Sequence, residues 1–248
     1  KKMKFKILIC YLFNFLYKYC YIIYKPLYFI YKKKSEKDKI EFCKKNIKNG
    51  MTVFDIGANI GFFTILFSEL VGENGTVYAF EPEPRNFKHL KKNVCFFKNV
   101  IIKQCAVGNR TEILKLFCSK NLNVDHRVFE SNDDKENRKE IEIECISIDN
   151  EYLDKVENAD FIKIDVQGFD CKVVEGMTNL LRKSKNTIVM GELYPYGLKR
   201  AGDSAYKYFE LLEKLNFSVK TFSEISNDLI KQENNYGYYT DFFAFKKT

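Results

Sequence analysis

Tryptophan is absent from this chain, proline occurs only four times, and histidine only twice, at His89 and His126. The eight Cys lie at 10, 20, 43, 95, 105, 118, 145 and 171, with no CxxC pair among them. Two His and scattered Cys do not make a Cys/His zinc site, so we expect no metal. The thiols suit small buried hydrophobes in a reducing compartment, which points to the cytoplasm. Acidic residues are missing from the first 34 positions, and a basic excess is missing from everything after residue 48. Residues 1–48 hold 14 Lys against 3 acids, whereas residues 49–248 hold 27 bases against 30 acids. The net charge of +8 therefore belongs to the N-terminal segment. The rest of the chain lacks the electrostatic footprint of a nucleic-acid binder, and we expect no nucleic-acid partner.

What is present divides at residue 48. A chain of 248 residues that is 46% hydrophobic supports one α/β domain, here 49–248, with an accessory segment, 1–48. From Phe5 to Tyr24 the segment is apolar or aromatic except for Lys6, Asn14 and Lys18. Its length matches a membrane span, although Lys18 at mid-depth would cost about 2.5–3.5 kcal/mol unless it snorkels. The tyrosines and lysines equally suit a helix lying at the headgroup level of the cytoplasmic face, through residues 1–34. A third reading is a pair of helices packed on the domain and broken near Pro26. No small-residue cleavage site follows the apolar run, which argues against a signal peptide. An opening Lys in place of Met leaves room for an upstream start.

Beyond a lysine-rich linker, SEKDKIEFCKK, the pattern alternates strand and helix. MTVFDIG reads as a buried strand, GFFTILFSELVG as a helix apolar around most of its circumference, and TVYAFEP as a second strand. PRNFKHLKKNVCFF places Phe87, Leu90, Val94 and Phe97 on one helical face, with Pro84 in the first turn. VIIKQCAV reads as a third strand. ILKLFC and EIEIECISI alternate with period two and predict an antiparallel excursion, separated by a polar stretch containing SNDDKENRKE. FIKIDV reads as a continuous buried strand, DCKVVEGMTNLLRK as a helix and NTIVMGEL as another strand. SAYKYFELLEKLN predicts a helix with Tyr206, Phe209, Leu212 and Leu215 spaced by three, and FSVKTF and YYTDFFAFKK close the chain as strands. Such alternation implies a parallel sheet covered on both faces, with ligands beyond the C-terminal strand ends.

The loop VFDIGANIGFF ends the first of these strands. Its glycines, Gly57 and Gly61, are four apart, and Asn59 stands where the dinucleotide fingerprint has its central glycine. Asp55 places a carboxylate at the strand end, where it would repel a pyrophosphate but suit a cationic ligand. S-adenosylmethionine carries an ammonium and a sulfonium. Glu81, an acid ending the second strand, is placed to accept hydrogen bonds from ribose hydroxyls, a device shared by both nucleoside cofactors.

The runs VFDIGANIGFFT, VYAFEPEPRNF and FIKIDVQGFDCKVVEGM, with the glutamate of VMGELYP, resemble the FkbM-type methyltransferases, a branch of the Rossmann-like S-adenosylmethionine-dependent enzymes. The resemblance covers Met51 to the C-terminal strand. It implies a doubly wound, mostly parallel seven-stranded α/β sheet with an antiparallel last strand, and methylation of a hydroxyl, often on a sugar or glycolipid-like acceptor. Carried over by position, Asp55, Gly57, Asn59 and Gly61 form the cofactor loop, Glu81 holds the ribose, and the Cys105–Ala106 backbone borders the adenine. One departure stands out. The family commonly has an acid two residues after the aspartate of the fourth strand, as in DVEG, and this chain has Gln167.

Methyl transfer to a hydroxyl needs an aligned oxygen and a place for its proton. Asp165 is the candidate base by topology, with capping of the following helix as its competing role. His126 is a second candidate, or an exposed loop histidine. Gln167 and Glu192 are candidates for orienting the acceptor. Two other functions compete: a nicotinamide-dependent oxidoreductase, and a membrane-associated binding protein with a degenerate cofactor site. The short-chain oxidoreductases need YxxxK after the fourth strand, whereas Tyr21/Lys25 and Tyr28/Lys32 lie upstream of the loop.

Overall fold

Why the loop after the first strand lies where it does follows from the strand order. The computed structural model describes residues 12–120, 126–129, 138–221 and 228–247. Strands β1 (Thr52–Ile56), β2 (Thr76–Phe80), β3 (Val100–Lys103), β4 (Ala106–Val107), β5 (Glu112–Ser119), β6 (His126–Arg127), β7 (Arg138–Ile146), β8 (Phe161–Ile164), β9 (Ile188–Leu193), β10 (Phe217–Thr221) and β11 (Thr240–Lys246) form two sheets. The larger has the order β10-β11-β9-β8-β1-β2-β3. Here β1, β2, β3, β8 and β9 pair in parallel, while β11 runs antiparallel to both neighbours. The order reverses at β1, so the crevice between the ends of β1 and β8 is the switch point where a ligand sits.

The smaller sheet has the order β4-β7-β5-β6, with β5 and β7 antiparallel as their period-two pattern predicts. VIIKQCAV is not one strand. It leaves the large sheet after Lys103 and joins the small sheet at Ala106, turning at Gln104–Cys105. An apolar run carries no mark of which sheet its two halves join. The segments 121–125 and 130–137, including most of SNDDKENRKE, lie outside the described residues.

Both faces of β1 and β8 are buried, which accounts for their apolar runs. On one side the helix Phe62–Val71 packs Phe63 and Phe67 with Val53 and Phe161. On the other, Phe54, Ile162 and Ile164 join Val174, Leu180 and Leu212. In the helix Ala205–Lys214 the inward residues are Ala205, Tyr208 and Leu212, whereas Tyr206 is exposed. A spacing of three drifts around a helix of 3.6 residues per turn, so Tyr206 falls outside the face expected for it.

The N-terminal segment is helical over 12–19 and Tyr21–Ser35, followed by the helix Lys37–Asn46. The chain breaks at Cys20, while Pro26 sits inside the second helix, contrary to the expected break at that proline. Tyr17, Tyr24, Tyr28 and Cys43 share one apolar cluster with Val53, Phe63 and Phe161. Among the described residues no helix is long and apolar enough to cross a membrane. The first part of the run from Phe5 lies outside them.

Candidate active site

Gly57 turns out of β1 with φ +83°, and a Cβ built there would lie 2.0 Å from the Asp165 carbonyl oxygen. The glycine thus lets the loop cross close to the end of β8, a constraint internal to the protein. The Gly57 and Ala58 amides donate to the Phe80 carbonyl at 3.0 and 2.9 Å, tying the loop to β2. Asn59 also has positive φ, and its side-chain oxygen accepts from the Ile60 amide at 2.8 Å. Gly61, at φ +90°, precedes the helix Phe62–Val71, and its missing Cβ makes room for Leu90.

Glu81 faces this loop. Its two carboxylate oxygens accept from the Asn59 amide at 2.8 Å and the Glu83 amide at 2.9 Å. The Asn86 side chain supplies a third hydrogen bond, so about one of a carboxylate's four acceptor positions remains for a hydroxyl donor. Burial pushes Glu81 up to about 7, against the pull of these hydrogen bonds. Glu83 caps the helix Pro84–Asn93 by accepting from the Asn86 amide, with Pro84 in the first turn. Asn86 in turn accepts from the Tyr17 hydroxyl at 2.6 Å.

Asp55 lies beneath the loop and is wholly buried, so it does not reach the cavity as the sequence reading expects. The parallel register sets Asp55 beside Lys163 of β8. Its carboxylate accepts from the Thr64 hydroxyl at 2.6 Å and pairs with the Lys163 ammonium at 3.3 Å. Lys163 also donates to the Gly57 carbonyl at 3.0 Å and lies 3.6 Å from Asp165. Burial works against its charge, and Asp55 and Asp165 more than offset it, so the ammonium is held charged. Asp55 therefore positions the loop through Lys163. The sequence reading passed over this lysine, although a Lys inside a buried apolar strand is itself a signal of a paired charge.

The same register assembles a row of acids. One step beyond the pair Ile164–Gly191, Asp165 comes beside Glu192, and Glu192 is paired with Asp241 of β11. The Gln167 amide donates to Glu192 at 2.9 Å and to Asp165 at 3.3 Å, from a backbone with φ 54°. Burial would raise Asp165, but Lys163, Lys39, Lys32 and the Gln167 amide hold it below the usual carboxylate range. Burial, then Asp165, Asp241 and Asp170, push Glu192 well above that range. The two neighbouring carboxyls are thus pushed in opposite directions, Asp165 toward its ionised form and Glu192 toward its protonated form. Asp165 does not cap a helix: the next one, Asp170–Gly176, begins after Phe169.

These groups line one cavity of about 610 Å³. Gly57, Asn59, Glu81, Cys105 and Ala106 occupy its wall with Leu116 of the small sheet, and Asp165, Gln167 and Glu192 occupy it with Tyr28, Tyr31, Tyr194, Tyr236 and Tyr239. His126 stands on the wall from β6, its Nδ1 accepting from the Ser119 amide at 3.2 Å, and no hydrogen bond or ion pair joins it to Asp165. Its neighbour Arg127 is buried, lies over the Tyr236 ring and donates to the Tyr236 hydroxyl at 2.6 Å. Lys39 closes the far side, pairing with Glu36 and, at 3.0 Å, with Asp241. Neither Arg127 nor the tyrosines of residues 31 and 236 carried a sequence signal. Tyr28 and Lys32, with YxxxK spacing, do reach the cavity. Burial pushes the Tyr28 hydroxyl far up and Lys32 is paired with Glu36 at 2.6 Å, so this pair lacks the acidic tyrosine of an oxidoreductase. Among the described residues no group of three or more His, Cys, Asp or Glu could hold a metal.

The cradle of Gly57 and Asn59 against Glu81 fits a nucleoside with free ribose hydroxyls. In solved structures, the fold is similar to a proposed rRNA methylase from Clostridium thermocellum, 13% identical with a TM-score of 0.52, over 85% of this chain and 95% of that one. It is also similar to a proposed methyltransferase from Streptococcus mutans solved with S-adenosylhomocysteine, 12% identical with a TM-score of 0.51, over 85% and 97%. An FkbM methyltransferase from Methylobacillus flagellatus aligns at 14% identity and a TM-score of 0.48, over 79% and 43%. No functionally curated protein matches the chain. The family model for the methyltransferase FkbM domain matches residues 55–219, from the end of β1 into β10. The chain belongs to the FkbM methyltransferase family.

Proposed function

We propose that the protein transfers a methyl group to a hydroxyl of a sugar, a glycolipid or a similar small acceptor. The observation that carries this reading is the Asp165–Gln167–Glu192 constellation at the open end of β8 and β9. The cofactor is S-adenosylmethionine, which when bound supplies an electrophilic methyl group. Glu81 would accept from its ribose hydroxyls, Gly57 and Asn59 would shape the loop around it, and Cys105 and Ala106 would border its base. Asp55, buried against Lys163, would act on the cofactor only through the loop that it and Lys163 hold in place.

On the acceptor side, Asp165 would take the proton of the reacting hydroxyl as the hydroxyl oxygen gains the methyl group and the carbon–sulfur bond breaks, leaving a neutral thioether. Glu192, holding its proton, donates to a neighbouring acceptor oxygen, and Gln167 keeps the two carboxyls apart in register. Holding the oxygen in line is the larger part of the acceleration. The tyrosines offer flat faces to the C–H side of a sugar ring while carboxyl and amide groups meet its hydroxyls. His126 remains a second proton acceptor in this proposal, reached from the β6 wall. Free thiols at all seven described cysteines suit a reaction in the reducing cytoplasm.

A screen of sugar and glycolipid acceptors with methyl-labelled cofactor tests this reading. Label should appear in an O-methyl ether, and Asp165→Asn should cut its incorporation about 10²–10⁴-fold. Label entering only amines, or tight NAD binding without S-adenosylmethionine binding, would overturn it.

A further inference from the structure

The helix Tyr21–Ser35 is both a wall of the cavity and part of the outer surface. At about 100° per residue, Tyr24, Tyr28 and Lys32 fall on one half of it and Ile22, Ile23, Pro26, Leu27 and Ile30 on the other. The first half is turned inward, with Tyr24 and Tyr28 buried. The second is open: Ile22 is 91% exposed and Ile30 66%, and the stripe continues through Tyr19, Phe15 and Leu12 of the preceding helix. So many large apolar side chains on one surface ask for a partner.

Charge decides which partner. Residues 12–35 contain five Lys and no acid. Lys33 and Lys34 fall on the exposed arc, at the C-terminal end of the stripe. A second copy of the chain packed on this face would set lysines against lysines with no carboxylate between them. A bilayer bearing anionic headgroups answers both parts at once, taking the isoleucines into its acyl boundary and the lysines at its surface. Tyr31, next on the arc, is exposed and also lines the cavity, so the stripe runs to the cavity mouth.

We infer that the outer face of residues 12–34 docks on an anionic membrane surface as an interfacial helix pair, with the cavity mouth opening at the level of the headgroups. This goes beyond the methyl-transfer reading and stands whichever acceptor is used.

The test is flotation of the full chain with vesicles of pure phosphatidylcholine and of phosphatidylcholine with phosphatidylglycerol. The parent should float with the anionic vesicles at least about tenfold more than with the neutral ones, and high salt should reduce the difference. Ile22→Glu/Ile30→Glu should cut flotation at least about tenfold with an unchanged melting curve, since both side chains face water in the free protein. Lys33→Gln/Lys34→Gln should lose the preference for anionic lipid; this variant decides the question if the first one melts early. Flotation equal between parent and both variants overturns the inference. So does a parent that ignores vesicles, including one that dimerises through this face by sedimentation.

Discussion

The side-chain amide of Gln167 donates to Glu192 at 2.9 Å and to Asp165 at 3.3 Å, from a backbone in the left-handed region. A non-glycine residue in that region is uncommon, and here it aims one NH2 group at two carboxyls. The bond helps to hold Asp165 ionised. Replacing the amide by an acid or an alkyl group removes that help, so the acid limb of the pH–rate profile for Gln167→Glu and for Gln167→Leu should move upward, on the order of one pH unit. A limb that stays in place would separate Asp165 from the titration that governs rate.

Asp165→Asn keeps the shape of the cavity and removes the proton acceptor. Methyl transfer should fall about 10²–10⁴-fold, the usual range for loss of general acid–base assistance. Affinity for S-adenosylmethionine, measured by calorimetry, should change far less than the rate. The same comparison for His126→Gln should leave most of the rate if Asp165 is the principal acceptor.

Lys163→Met should be destabilising beyond its size. It leaves Asp55, which is fully buried, and Asp165 without their shared cation. Removing one partner of a buried ion pair costs about 3–5 kcal/mol, which is about 10 °C in Tm for a chain of this length. Pairing it with Asp55→Asn should recover part of the loss, because the second change removes the stranded charge.

Glu81 and Asp170 both titrate near 7, raised by burial from the range they have in the unfolded chain. The native state then binds more protons than the unfolded state between about pH 4 and 7. Their contribution to stability is complete below the unfolded pKa and is lost as pH rises through 7. Thermal melts of the ligand-free protein should therefore show Tm falling between about pH 4 and 7 and levelling above 7, with a shallower slope in Glu81→Gln. Ribose hydroxyls favour the charged form of Glu81. Cofactor affinity should accordingly rise over the same interval, with proton release visible as a buffer-dependent binding enthalpy.

The parts legible in the chain were those encoded over neighbouring residues. The loop VFDIGANIGFF, the acid at the end of β2, and the alternation in β5 and β7 each carry their own local pattern. What failed had non-local causes. The turn between Lys103 and Ala106 is a choice between two sheets, and the row Asp165, Glu192, Asp241 exists only once three strands are in register. Asp55 shows the limit most clearly. Its position at the strand end was readable, but whether it faced ligand or protein depended on Lys163, more than 100 residues away. Tyr28 and Tyr31 belong to a segment whose YxxxK spacings do not mark this role, and only packing brings them to the cavity.

Tyr21 and Tyr17 do more than anchor the N-terminal helices. Asn93 donates both to the Tyr21 hydroxyl and to the Ile60 carbonyl, each at 2.7 Å, and the Tyr17 hydroxyl donates to Asn86, a neighbour of Glu81. The surface stripe and the cofactor loop are thus two ends of one hydrogen-bonded body. Linkage then requires reciprocity: whatever factor a bilayer imposes on cofactor affinity, the cofactor imposes on bilayer affinity. Deleting the first 34 residues would cut that body in two and weaken both sites together, whereas substitutions on the outer face alone address them one at a time.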